Sequence, residues 1–256
     1  MISYLAAVIL GVVEGFTEFL PISSTAHMIL VSDILKITQS DFVKTFEIVI
    51  QSGAILAVVA LYWEKFLDWE LLKKIAAAFI PTGILGLVFY KLVKNYLLGD
   101  IAVILWSLSL GGILLIVFEK FFHERNEMAN MKDISYGKAA IIGLFQSIAM
   151  IPGVSRAAAT IVGGMLLGIR RELIVEFSFL LAVPTMLAAT GLDLFKSSFA
   201  FSASQFGILS VGFIVSFIMA VISIKFLLNY IRRHSFAAFG YYRIVLVALF
   251  ILLAVY

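Results

Sequence analysis

The sequence has no cysteine, which excludes disulfides, a thiolate metal site and a cysteine nucleophile, and leaves the redox compartment undecided. Charge is also scarce. Only 14% of the residues are charged and 62% are apolar, whereas a soluble domain needs about 25% charged residues. The outer surface is therefore given over to lipid. No Pro/Ser-rich linker or soluble insertion interrupts residues 1–256, which read as one membrane domain. The opening stretch MISYLAAVILGVVEGF lacks the basic start of a cleavable signal peptide. Net charge is a modest +3. Lys and Arg cluster between apolar runs, so the basic balance reads as membrane orientation and not as nucleic-acid binding.

Lipid tails cannot satisfy backbone polar groups, so the spans are expected to be helices of roughly 20 apolar residues. Residues 75–93, 101–118, 173–192 and 208–228 have that length. Residues 42–63 have it despite Lys44, Glu47 and Gln51, and residues 244–256 make a short final helix. Two stretches differ. Residues 4–35 are interrupted by Leu20-Pro21-Ile22-Ser23-Ser24, and residues 139–168 by Ile151-Pro152-Gly153-Val154-Ser155-Arg156. In both, each apolar arm is shorter than a span, which predicts a re-entrant helical hairpin. Such backbone is tolerated at membrane depth only where protein or a wet cavity surrounds it.

The two interrupted stretches repeat each other. Gly11, Glu14 and Ser23 recur at one constant offset as Gly143, Gln146 and Ser155, and Phe46-Glu47 is matched one residue earlier by Phe177-Ser178. This suggests an internal duplication, repeat one over about 1–118 and repeat two over about 135–256. Four basic clusters fix a path: Lys65, Lys73 and Lys74; Lys120, Arg125, Lys132 and Lys138; Arg170 and Arg171; Arg232, Arg233 and Arg243. With all four in the cytoplasm, the connections near Asp100 and at 193–205 fall outside and both termini are external. The hairpins then enter from opposite sides and meet near the midplane, an inverted-topology repeat. The expected fold class is an all-α, polytopic helical bundle with two such hairpins.

Polar residues inside these stretches carry the chemistry. Glu14 and Glu18 are spaced i, i+4 and share one helix face. Each charged group in an apolar segment costs roughly 2.5–3.5 kcal/mol. A hard divalent cation, Mg²⁺ or Ca²⁺, would offset both costs; alternatively one carboxylate stays protonated and acts as an acid. Ser23, Ser24 and Thr25 sit where a new helix begins, with N-capping hydroxyls and free amides that suit an anion. His27, one turn further on, can carry protons or act as a nucleophile. Arg156 is the only basic residue placed deep in the membrane. Its guanidinium fork matches phosphate oxygens, and Ser155 and Thr160 add donors. Gln51 is a candidate substrate contact and Glu47 a supporting group, with Glu176 and Ser178 similar in the second half. Gln146 stands where the first half has Glu14, so the second hairpin would bind an anion and not a metal. Metal ligands, an anion clamp, hydroxyls and a proton carrier together suit phosphoryl transfer, which depends mainly on positioning and charge stabilisation.

The motifs E-G-F-T-E-F-L-P-I-S-S-T-A-H, F-E-I-V-I-Q-S-G-A-I-L-A-V-V, I-P-G-V-S-R-A-A-A-T and E-F-S-F-L-L-A-V-P resemble, in the same order and over nearly the whole chain, the undecaprenyl-diphosphatase family, also called bacitracin-resistance proteins. The resemblance implies a bacterial inner-membrane enzyme that converts undecaprenyl diphosphate to undecaprenyl phosphate for cell-wall synthesis. It also implies dependence on Mg²⁺ or Ca²⁺ and an active site opening outward. The family's functional residues map to Glu14, Glu18, Ser24, His27 and Arg156, supported by Ser23, Ser155 and Thr160. Where family members show S-R-S-G-A-T, this chain has Ser155-Arg156-Ala157-Ala158-Ala159-Thr160; it lacks that hydroxyl and that glycine but keeps the arginine. The expected mechanism has metal on Glu14 and Glu18, with Ser24 as nucleophile and His27 as its base, or His27 activating water. The competing reading is a secondary transporter or lipid flippase for an anionic substrate, because inverted repeats with broken helices are typical of transporters. A homodimer is compatible with either.

Overall fold

The structure is a computed structural model that describes residues 2–97, 100–122, 128, 130–195 and 202–255. Ten α-helices follow in order: α1 (Tyr4–Thr17), α2 (Ser24–Ile34), α3 (Asp41–Leu61), α4 (Trp69–Leu92), α5 (Ile101–Phe121), α6 (Tyr136–Ser147), α7 (Arg156–Leu166), α8 (Arg171–Phe195), α9 (Ala203–Ile231) and α10 (Ala237–Val255). No strand occurs among the described residues. Five helices, α3, α4, α5, α8 and α9, are long and apolar enough to cross a membrane, so the chain is a polytopic, all-α membrane protein. The expected positions 193–205 lie partly outside the described residues, and Arg125 and Tyr256 lie outside them entirely.

The two interrupted stretches are broken helices, not kinked ones. α1 and α2 have 14 and 11 residues, α6 and α7 have 12 and 11. At 1.5 Å per residue these reach about 16 to 21 Å, short of the ~30 Å hydrocarbon core. α1 ends at Thr17, and the chain resumes helix only at Ser24. After α6, a 3-10 turn over Ile148–Met150 precedes Pro152-Gly153 and the start of α7 at Arg156. Pro has no N–H to continue the helical ladder, and its ring obstructs the preceding turn.

Packing follows an exchange between the two halves. α1 lies along α9 and α6 along α4; α3 packs on α9 and α8 on α4; α3 meets α8, and α5 meets α10. Each broken segment thus leans on a long helix from the opposite half. Gly11 and Gly143, which share a position in the sequence repeat, make this approach possible. A Cβ at Gly11 would sit 2.8 Å from the Gly212 carbonyl oxygen, and one at Gly143 only 1.9 Å from that of Ala78. Elsewhere, Arg171 is bonded bidentately to Glu119 at 2.7 and 3.0 Å, and Glu119 also accepts from the Phe236 amide. That knot fastens α5, α8 and the segment entering α10.

Two expectations are corrected. The final helix begins at Ala237, not near 244, and Arg243 is not a cytoplasmic loop residue. Its side chain is fully buried and donates to backbone carbonyls of Ser107, Gly153 and Val154. A guanidinium with that many acceptors tolerates an apolar helix, so Arg156 is not the only deep arginine.

Candidate active site

The site forms where the breaks of the two short-helix pairs meet. Both breaks end on a serine in the left-handed region: Ser23 at φ 70 and Ser155 at φ 77. A non-glycine residue there costs on the order of 1–3 kcal/mol and persists only where its surroundings over-determine it. Each serine caps the helix it precedes. Ser23 Oγ accepts from the Ala26 amide, and Ser155 Oγ from the Ala158 amide. The capping leaves Ser24 and Arg156, the next residue in each break, at the first helical position.

These two residues are joined through Glu18. Arg156 Nη2 lies 2.9 Å from Glu18 Oε1, and Ser24 Oγ donates to Glu18 Oε2. A hydroxyl, a carboxylate and a guanidinium therefore stand in line, two from the first half and one from the second. The other guanidinium nitrogen donates to the Ser178 carbonyl at 2.9 Å and to Ser178 Oγ at 3.3 Å. Thr160 Oγ1 holds that hydroxyl at 2.6 Å, and the guanidinium also lies over the Phe19 ring. Arg156 Nε has no hydrogen-bond partner.

A cavity of about 200 Å³ opens against this line. Glu18, Ser23, Ser24, Thr25, Gln51, Ser155 and Arg156 all line it, so seven of the expected residues come together. Three do not reach its wall. Thr160 is fully buried and acts on Arg156 through Ser178. Glu14 lies one turn behind Glu18, 4% exposed. His27 is turned away: Nδ1 is 2.7 Å from the Ser23 carbonyl oxygen and Nε2 is 2.8 Å from the Tyr242 hydroxyl. A carbonyl only accepts, so Nδ1 carries a proton, and both ring nitrogens are engaged away from Ser24. The expected pairing of Ser24 with His27 is not formed; Glu18 takes the Ser24 hydroxyl instead.

Sequence reasoning missed Thr82 and Thr185, which line the cavity, and Tyr242 and Arg243, which approach from α10. Gln146 also lines the cavity, and its amide donates to Thr82 and Thr185, both at 3.0 Å. Of the weaker candidates, Ser178 belongs to the site. Glu47 accepts from Gln39, and Glu176 lines a separate cavity with Lys65 and Arg170.

The acidic pair presents oxygen donors to a cation. Glu14 Oε1 is buried without a hydrogen-bond partner, and the charged groups facing Glu14 are Glu18, Glu47 and Arg156. An orphaned carboxylate oxygen beside a second carboxylate fits a hard divalent ion. Among the described residues no third Asp, Glu or His joins them in a metal cluster, so the remaining ligands would come from water or substrate oxygens.

Fold and site together define a polytopic helical membrane protein with an acid, hydroxyl and guanidinium pocket built from two broken helices. The bacitracin resistance protein BacA family model matches residues 7–249, and the chain belongs to that family. It is 53% identical over 241 residues to the undecaprenyl-diphosphatase of Aquifex aeolicus (strain VF5), covering 94% of each chain. It is 49% identical over 256 residues to that of Bdellovibrio bacteriovorus, covering 99% of this chain and 97% of the relative. It is 45% identical over 239 residues to that of Methanococcus aeolicus, covering 93% of each.

Proposed function

We propose that this chain hydrolyses undecaprenyl diphosphate to undecaprenyl phosphate and inorganic phosphate, recycling the lipid carrier for cell-wall synthesis. The Ser24–Glu18–Arg156 line across the cavity carries the reading. Its relatives' names point the same way.

In this reading Arg156 faces the terminal phosphate from the cavity wall and neutralises the charge that builds on the equatorial oxygens. Ser24 Oγ attacks the terminal phosphorus while its proton passes to Glu18 Oε2. The bond from that phosphorus to the bridging oxygen breaks, and undecaprenyl phosphate leaves. Water then cleaves the phosphoserine, releasing inorganic phosphate and restoring the hydroxyl. Ser23, Thr25, Gln51 and Ser155 orient the diphosphate from the cavity wall. A Mg²⁺ or Ca²⁺ ion held by Glu14 and Glu18 would supply further neutralisation of the diphosphate.

The topology proposed with this function is the inverted repeat: two re-entrant hairpins, both termini external, and the cavity opening to the outer face of the bacterial inner membrane. The exchanged packing of α1 on α9 and α6 on α4 supports it. A prenyl chain would then lie among the lipid tails with its diphosphate in the cavity.

The test is phosphate release from a prenyl diphosphate by the purified protein in detergent. Steady release that stops on adding a chelator and returns with Mg²⁺ or Ca²⁺ is the expected result. A transporter or flippase would release none.

A further inference from the structure

Tyr242 and Arg243 are consecutive on α10, yet each reaches the break of a different half. The Tyr242 ring stacks on His27, with centroids 5.6 Å apart and planes 4° from parallel, and its hydroxyl meets His27 Nε2 at 2.8 Å. His27 Nδ1 and the His27 amide in turn both engage the Ser23 carbonyl. Arg243 passes α5 where glycines leave room. A Cβ at Gly111 would lie 2.5 Å from its Nη2, and one at Gly112 would lie 3.2 Å from its Cβ. Beyond them it donates to the Gly153 and Val154 carbonyls. Gly153 itself sits at φ 96, where a side chain would meet the Ile104 carbonyl.

The two contacts do the same work. Each fixes a backbone carbonyl just ahead of a reacting side chain: Ser23 before Ser24, and Gly153 and Val154 before Ser155 and Arg156. Both breaks hold a strained serine, and strained backbone relaxes unless something outside the segment restrains it. α10 is that outside element. Short loops at the meeting point of two halves have no regular ladder to fix their separation, and misplacement by about 1 Å can cost on the order of 100-fold in rate.

We propose that the Tyr242-Arg243 pair is a clasp that positions both half-site loops, so that Ser24 and Arg156 address the same phosphorus. Neither residue touches the substrate; Tyr242 acts through His27, and Arg243 through the loop backbone. The inference rests on the hydrolase reading above.

The experiment uses the full chain in detergent with a prenyl diphosphate. Arg243→Met is expected to lower kcat about 100-fold with KM near the wild-type value, and Arg243→Lys to recover part of the loss. Tyr242→Phe, which removes one hydroxyl from a half-exposed ring, is expected to lower kcat about tenfold, again with KM held. Wild-type kcat in folded Arg243→Met and Tyr242→Phe proteins overturns the clasp, as does a change confined to KM. Should Arg243→Met fail to fold, Arg243→Lys and Tyr242→Phe carry the same test. The absence of native cysteine allows a second readout that needs no activity. Nitroxides at Thr25→Cys and Ala149→Cys, cavity-lining positions beside the breaks of opposite halves, are expected to show one narrow separation. Arg243→Met should broaden it, and an unchanged distribution overturns the clasp. A wild-type protein that releases no phosphate defeats the hydrolase reading, and the spin-label result still decides the clasp.

Discussion

Replacing Arg156 with alanine is expected to reduce phosphate release by about 10³- to 10⁵-fold, the range over which a phosphate-clamping arginine contributes to phosphoryl transfer. The loss has two sources. The terminal phosphate loses the guanidinium that balances its developing charge. Glu18 also loses its only ion pair among the described residues, and a carboxylate stranded in a buried site costs about 3–5 kcal/mol. Size-exclusion behaviour and thermal unfolding of the purified protein separate the two. Arg156→Lys keeps the charge and discards the fork, so it should fold like wild type and recover only a minor part of the rate. Initial rates on a prenyl diphosphate measure both variants, and substantial activity in Arg156→Ala would remove this residue from the clamp.

Ser24→Ala is expected to lose activity on the order of 10⁴-fold or more, because removing a nucleophile leaves only binding and electrostatic catalysis. The structural cost is small. Among the described residues the hydroxyl makes one side-chain hydrogen bond, to Glu18, and a hydrogen bond to a charged group contributes about 1.5–3 kcal/mol. A folded, inactive protein that binds its substrate is therefore the expected outcome, measured by initial rates beside a thermal melt. A fully active Ser24→Ala protein would exclude serine as the nucleophile and move the attack to water.

The line of side chains that motivates both predictions was only half legible in the sequence. Glu18, Ser24 and Arg156 stand out because each is costly in an apolar run and sits beside a Pro-bearing break. The breaks are also local signals: proline and the Ser-rich segment after it end a helix wherever the chain goes next. The pairing of these residues is not local. Nothing in the spacing says that Ser24 reaches back to Glu18 instead of forward to His27. That choice depends on Tyr242, which comes from α10 to take the other side of the imidazole.

Arg243 shows the same limit more sharply. It follows Arg232 and Arg233 at the edge of an apolar run, and loop charge bias reads it as cytoplasmic. The structure buries it because carbonyls of the distant break in its own half lie within reach, and the opening through Gly111 and Gly112 exists only once α5 and α10 are packed. Ser178 and Thr160 are visible in the sequence as polar residues on apolar helices. Their joint hold on Arg156 appears only when α7 lies on α8. The periodic spans and the repeat, by contrast, follow from composition and sequence offset, so they needed no tertiary information.

Both halves must act on one phosphorus, and a single-turnover reaction tests this most directly. Purified protein in excess is mixed with a prenyl diphosphate radiolabelled in its terminal phosphate, then quenched at short times. The label is predicted to pass onto Ser24 and then into inorganic phosphate in the wild-type protein, and to do neither in Glu18→Ala and Arg156→Ala. Release of labelled phosphate at the wild-type rate by both of those variants would contradict it.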